Sequence, residues 1–287
     1  MKLPNFIVLG PPRTGTTWLY RCLGQHPEVF VSDRKEVRYF DEHYEKGLPW
    51  YAQAFAAAPE SARAIGDITP GYFQHPGVPE RMVEVLGDTV ELFVIHRDPV
   101  ERAYSAYLGA LRRGETHASF REALEEIPRL VANSQYAKQL DRFLSVFPAP
   151  RIHLVDFESI AKQPLDHLQA YYRVLGLSDF SPEGLRTRVN AQLPPGRSTR
   201  LNTLMRIARE TIERSAPGRK LMWRIRDKGL TRKLHGLNAA EQTNGELSAQ
   251  VRAELFQQWF QRDQEALQAY AHLRVQLPPE DGDESTS

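Results

Sequence analysis

The 287 residues carry 37 Lys and Arg against 36 Asp and Glu, a formal net charge of +1, and 41% of them are hydrophobic, enough for a buried core and too many for global disorder. No apolar run approaches the roughly 18 residues of a membrane span, and Phe6–Leu9 is too short for the apolar stretch of a secretory leader. The one cysteine, Cys22, excludes an internal disulfide and a cysteine-based zinc site, so the expectation is a cytoplasmic, globular, enzyme-sized protein.

In chain order, Phe6-Ile-Val-Leu9 reads as a buried strand, residues 10–17 as a turn-rich loop and residues 18–24 as helical. A short strand follows at 28–31, then a charged, aromatic-studded stretch at 32–46 and a helix over 47–58 with Trp50, Tyr51 and Phe55 inward. Residues 63–66 read as a third strand, ended by Asp67 and a turn at Thr69-Pro70-Gly71; a helix covers 78–86, and 90–95 is the clearest strand of all. Asp98-Pro99 opens a helix, because Asp caps well and Pro in the first turn has no donor to lose; Gly114 closes it. Helices are predicted at 119–131 and 135–146, a strand at 151–155, and a helix at 163–175. Strands alternating with helices imply an α/β fold, a parallel central sheet covered on both faces. Beyond 199 the pattern is helical to about 275, including 246–274, and 278–287 is an acidic, apolar-poor tail. The expected organisation is one domain over 1–277 plus that tail.

The near-neutral total hides one strongly basic segment. Residues 197–233 hold 12 basic and three acidic side chains. Such a stretch suits a phosphorylated ligand, an acidic glycan, a membrane surface or nucleic acid, and equally a solvated helical face.

Two clusters carry chemistry. The first is Gly10-Pro-Pro-Arg-Thr-Gly15-Thr-Thr17, between a strand and a helix. Glycines let the backbone wrap an anion, and amides at a helix N-terminus point toward it. A nucleoside triphosphatase would have Lys where this chain has Thr16; the positive charge lies instead at Arg13, in mid-loop. A tight strand-to-helix turn would also fit the pattern. The second cluster is Arg97-Asp-Pro-Val-Glu-Arg102-Ala-Tyr-Ser105. Arg97 ends the strongest strand, where open α/β sheets bind ligands, and Ser105 follows about two turns into the next helix. Arg102 reads as a structural ion-pair partner, and His96 as structural because strand alternation turns it away from Arg97.

Together these clusters resemble the signature of sulfotransferases that use 3′-phosphoadenosine 5′-phosphosulfate (PAPS). Lys35-Glu-Val-Arg-Tyr-Phe-Asp41, Gly47-Leu-Pro-Trp-Tyr51, Thr69-Pro-Gly-Tyr-Phe73 and Ile152-His-Leu-Val-Asp-Phe157 are similar to segments of the glycan-modifying branch that includes heparan sulfate sulfotransferases. The order and spacing match over about residues 5–177, whereas 199–287 looks more like bacterial members. The resemblance implies a P-loop-like three-layer α/β/α fold and sulfuryl transfer from PAPS, without a metal, to a hydroxyl of a carbohydrate or other acceptor. Arg13, Thr14, Gly15, Thr16 and Thr17 are then expected to cradle the phosphosulfate, and Arg97 and Ser105 the 3′-phosphate. Arg197 and Arg200 would lie in a late basic loop over the nucleotide. Glu36 falls where the glycan-modifying enzymes carry the glutamate that deprotonates the acceptor, with Arg13 stabilising charge on the leaving phosphate. Arg38 and Asp67 are expected on the acceptor side; Asp67 would orient the acceptor, act as base, or simply cap the turn.

Two departures alter that side. The heparan-type pattern has Lys where this chain has Ile68, and His where it has Arg38, which argues against heparan sulfate itself. The competing readings are a P-loop small-molecule kinase, which would need the missing lysine and a magnesium ligand, and a non-catalytic module binding anionic glycan or nucleic acid through 197–233. The basic segment is also the place for contact with a membrane surface; specific nucleic-acid binding is not expected.

Overall fold

The computed structural model describes residues 1–186 and 247–277. The basic segment 197–233, with Arg197 and Arg200, and the acidic tail 278–287 lie outside the described residues.

Five strands form one sheet: β1 (Phe6–Gly10), β2 (Val29–Val31), β3 (Ala64–Ile68), β4 (Glu91–His96) and β5 (Ile152–Asp156). All pairings are parallel, in the order β2-β3-β1-β4-β5, so β1 is central. Parallel strands need crossovers, and here helices supply them: α1 (Thr16–Leu23), the short α2 (Tyr39–Glu42) and α3 (Gly47–Ala52), α4 (Val78–Leu86), α5 (Pro99–Arg113), α6 (Phe120–Glu126), α7 (Arg129–Ala132) and α8 (Tyr136–Leu144). After β5 come α9 (Glu158–Lys162) and α10 (Pro164–Val174), and beyond the undescribed stretch α11 (Ala249–Trp259) and α12 (Gln261–Leu267).

Strand alternation sorts the core into two layers. Ile7 and Leu9, Leu92 and Val94, and Ile152 and Leu154 face one side, packed with Phe40, Tyr51, Tyr72, Phe73, Tyr136 and Phe143. Phe6, Val8, Phe93, Ile95 and Val155 face the other, packed with Trp18, Leu19, Leu168 and Tyr171. Burial on both faces explains the unbroken apolar runs of β1 and β4. The packing is tight: a Cβ on Gly66 would lie 2.1 Å from the ring of Phe6, so β3 has room only for glycine there.

Contacts divide the described chain into two compact units. The first comprises 1–98, 135–186 and 262–277 and contains the whole sheet. The second comprises 99–134 and 247–261, built from α5, α6, α7 and α11 around Val100, Ala103, Leu124, Leu130, Leu255 and Phe260. In it the Arg102 guanidinium is fully buried and hydrogen-bonded to Ser134 Oγ at 2.5 Å and to the Leu130 carbonyl. Arg102 thus sits inside the second unit, bound to a hydroxyl and a carbonyl.

Several predicted elements differ in extent. The helix expected over 47–58 stops at Ala52 and tightens to a 3-10 turn at Gln53–Phe55. That expected over 119–131 breaks between Glu126 and Arg129, where Pro128 removes a backbone donor. The helix expected over 246–274 breaks at Phe260 and ends as a 3-10 segment, Gln268–Leu273. Among the described residues no helix is long and apolar enough to cross a membrane, and no group of three or more His, Cys, Asp or Glu side chains has metal-binding geometry.

Candidate functional site

The loop between β1 and α1 lies at the carboxyl end of the central strand, the usual ligand position in a parallel sheet. Its backbone is left-handed at Gly10 (φ 95°), Arg13 (φ 80°) and Gly15 (φ 79°). Interspersed left-handed residues gather successive amide N–H groups into a concavity suited to an anion. Gly15 caps α1 with no side chain, so no capping group takes the first-turn amides. Thr14 is fully buried and its hydroxyl donates to the Pro11 carbonyl at 2.7 Å. Its side chain therefore braces the loop from inside. Thr16 is buried at the helix start, while Arg13 and Thr17 are half-buried beside it.

Arg97, one residue beyond β4, joins this loop. Its guanidinium donates to the Arg13 carbonyl at 2.9 Å and lies 4.6 Å from the Phe157 ring centroid. Its backbone N–H donates to the Tyr136 hydroxyl at 3.1 Å. Phe157 also underlies the loop, since a Cβ on Gly15 would lie 3.2 Å from its ring. Arg97 and the phosphate-type loop thus share one support. His96 points elsewhere, its Nε2 3.2 Å from Gln264 Oε1 and its ring against Tyr136. Ser105 falls within α5 in the second unit and is nearly fully buried.

Glu36 is exposed, in the segment between β2 and α2. That segment is fastened to the end of β3. Lys35 Nζ donates to the Ile68 carbonyl at 3.4 Å, the Tyr39 N–H donates to the Tyr72 hydroxyl at 2.9 Å, and Arg81 donates to the Phe40 carbonyl at 2.6 Å. The Arg38 guanidinium is held by Asp41 at 2.8 Å and Glu42 at 2.9 Å, so two neighbouring carboxylates already engage the group expected to face the acceptor. The turn after β3 meets the loop directly: a Cβ on Gly10 would lie 2.5 Å from Pro70 Cβ. Loop, turn and Glu36 segment are therefore packed in series within the first unit.

Asp67 lies inside β3 rather than in the turn and is fully buried. Its Oδ1 accepts from Thr69 Oγ1 at 2.6 Å; its Oδ2 accepts from the hydroxyls of Tyr72 at 2.9 Å and Tyr51 at 3.0 Å. Burial pushes its carboxyl up to about 6, with a smaller rise from Asp41, although the three hydroxyl donors pull it down. The same burial, with the Asp67 charge, lifts Tyr51 and Tyr72 well above the ordinary phenol range. Native Asp67 keeps its proton to about 6, whereas the unfolded chain releases it at 3.8. The native state therefore gains stability as pH falls through that window and loses it as pH rises through the native value. Urea titrations are expected to show wild type gaining on Asp67→Asn by up to about 3 kcal/mol between neutral pH and the bottom of the window; a constant difference would contradict the raised carboxyl.

The sequence does not reveal that the Tyr51 and Tyr72 hydroxyls meet on Asp67, because Tyr51 comes from a separate helix 16 residues away. The sequence reading also missed a cationic pair on Trp50, with Arg34 4.8 Å and Lys46 4.6 Å from the ring centroid. Lys46, one helical turn before Trp50, was the available signal.

The family described as sulfotransferase domain matches residues 3–209. Mouse heparan sulfate glucosamine 3-O-sulfotransferase 5 is 32% identical over 191 residues, covering 61% of this chain and 54% of that protein. The bifunctional heparan sulfate N-deacetylase/N-sulfotransferase of Drosophila melanogaster is 29% identical over 219 residues, 63% of this chain and 20% of that one. The chain thus spans about half the length of the first relative and a fifth of the second. The crystal structure of a sulfotransferase from Alicyclobacillus acidocaldarius superposes with a TM-score of 0.58 at 27% identity, over 64% of this chain and 85% of that one. With a parallel sheet, a glycine-bounded loop at the end of its central strand and a family match over most of its length, this chain belongs to the sulfotransferase family.

Proposed function

We propose that the protein transfers the sulfuryl group of PAPS to a hydroxyl, most readily that of a carbohydrate or glycoconjugate. The observation that carries this reading is the bond from the Arg97 guanidinium to the Arg13 carbonyl, which puts two cationic residues on one loop whose backbone is shaped for an anion. Two anionic groups on one nucleotide are what such an arrangement suits, and the donor set of amides and guanidinium groups fits phosphate oxygens without a metal.

PAPS supplies an activated sulfuryl group whose S–O bond to the 5′-phosphate breaks as the new S–O bond to the acceptor forms. The amides of residues 13–17 and the Arg13 side chain hold the 5′-phosphate end and stabilise the charge that grows there. Arg97 holds the 3′-phosphate with a fork of donors. Glu36, exposed and next to a lysine anchored on β3, takes the acceptor proton. The glycan relatives and the aromatic Trp50 with its two cations support a sugar acceptor.

Calorimetric titration with 3′-phosphoadenosine 5′-phosphate, beside ATP with and without magnesium, tests the reading. Micromolar binding of the bisphosphate, unchanged by magnesium, is the expected result. Binding of ATP only with magnesium would turn the reading toward a kinase, and binding of neither would turn it toward a non-catalytic anion-binding module.

A further inference from the structure

The carboxylate of Asp67 reaches no solvent, yet its partners run in two directions. Through Thr69 at 2.6 Å and Tyr72 at 2.9 Å it fixes both ends of the turn whose Pro70 abuts Gly10 of the phosphate-type loop. The Tyr72 hydroxyl, while donating to Asp67, accepts the Tyr39 N–H. The second tyrosine on Asp67, Tyr51, stacks on the Tyr39 ring, with centroids 4.4 Å apart and planes 13° from parallel. Tyr39 is thereby held twice, at its backbone by the Tyr72 hydroxyl and at its ring by the Tyr51 ring, and the hydroxyls of these two tyrosines share one carboxylate oxygen. Tyr39 ends the segment that carries Glu36. Beneath the segment, Arg38 and Asp41 lie against Gly71, where a Cβ would be 2.9 Å from the Asp41 carboxylate.

From this geometry we infer that Asp67 is a positioning residue: through Tyr72, Tyr51 and Tyr39 it sets Glu36 relative to the donor loop without touching either substrate. The inference rests on the assignment of Glu36 as base. It replaces a direct role for Asp67 on the acceptor with an indirect one, and it gives a reason for a carboxylate where burial is costly. A carboxylate oxygen accepts two phenolic hydroxyls at once, and each phenol keeps lone pairs for other donors. No apolar residue of similar size would tie the two rings to one point.

The experiment uses the full chain, with Asp67→Asn, Tyr72→Phe and Glu36→Gln alone and Asp67→Asn combined with Glu36→Gln. Tyr72→Phe keeps the ring in the core and removes only the hydroxyl, so it remains informative if Asp67→Asn folds poorly. Hydrogen exchange is expected to quicken at the Tyr39 amide by at least about tenfold in Asp67→Asn and in Tyr72→Phe, because a protecting bond is lost or loosened. Affinity for 3′-phosphoadenosine 5′-phosphate should stay within about twofold of wild type, since the donor loop keeps its own bonds. With PAPS and a p-nitrophenyl glycoside acceptor, kcat should fall roughly 10- to 100-fold while KM for PAPS hardly changes, as misplacement of a reacting group predicts. On the Glu36→Gln background, Asp67→Asn should cost less than about twofold more, because a residue acting through Glu36 has nothing left to position. Unchanged exchange at Tyr39, a parallel loss of bisphosphate affinity, or fully additive losses in the double variant would each overturn the inference. Absence of turnover in wild type, or full turnover in Glu36→Gln, would instead overturn the assignment of Glu36, while the exchange result still reports whether Asp67 holds the segment.

Discussion

Glu36→Gln is expected to lower kcat by about 10²- to 10⁴-fold, the range for removal of a general base, with donor affinity essentially unchanged. The substitution is isosteric and the side chain is exposed, so the fold has little reason to respond. A hydroxyl is a poor nucleophile until its proton has a destination, and glutamine offers none. The loss should therefore fall on kcat and on kcat/KM alike, the pattern of an interaction made in the transition state. Steady-state rates of 3′-phosphoadenosine 5′-phosphate release, with bisphosphate affinity measured in parallel, check this. Retention of more than about a tenth of wild-type kcat would transfer the base role to another group.

The second large effect falls on binding. Arg97→Ala should weaken bisphosphate affinity by about 10- to 100-fold, because a charge-assisted hydrogen bond contributes roughly 1.5–3 kcal/mol. The same guanidinium donates to the Arg13 carbonyl, so its removal also frees a loop held in left-handed backbone at Arg13 and Gly15. Arg97→Lys separates these parts. Lysine keeps the charge but lacks the planar fork that spans carbonyl and phosphate together, and it should restore only part of the affinity. Calorimetry on both variants gives the answer; wild-type affinity in Arg97→Ala would detach Arg97 from the nucleotide.

The strand, loop and helix proposed for the donor were legible in the sequence because their determinants are local. A strand, a glycine-bounded loop and a helix follow one another within residues 6–23, and turn chemistry plus apolar runs suffice to place them. The start of α5 at Pro99 and its end at Arg113 were equally readable, from a proline in the first turn and a glycine just past the end. Thr14 shows the limit: nothing in its neighbourhood signals that its hydroxyl turns back to Pro11. The acceptor side was less readable for the same reason. Tyr39, Tyr51, Tyr72 and Asp67 come from three separate stretches, and only the packing of α2 and α3 against β3 and the turn after it assembles them. Asp67 itself looked like a turn residue, since an aspartate before Ile-Thr-Pro-Gly imitates a strand end; tertiary burial overrode that local cue. The sequence offers Arg38 for the acceptor side because it replaces a histidine; its ion pairs with Asp41 and Glu42 are what the local pattern did not announce.

The place of β1 at the centre of the sheet bears on how the protein folds. Phe6 pairs with Gly66 on one side and with Glu91 on the other, so the earliest strand finds neither neighbour until much later chain has been made. The sheet cannot nucleate from a local hairpin, and its entropic barrier is that of distant closure, a topology that folds slowly. Gly10, the last residue of β1, takes up its contact with Pro70 only after β3 has docked. Competence to bind an anion should therefore arise late in refolding, together with the completed sheet, and an intermediate with helices but no paired β1 would hold no nucleotide.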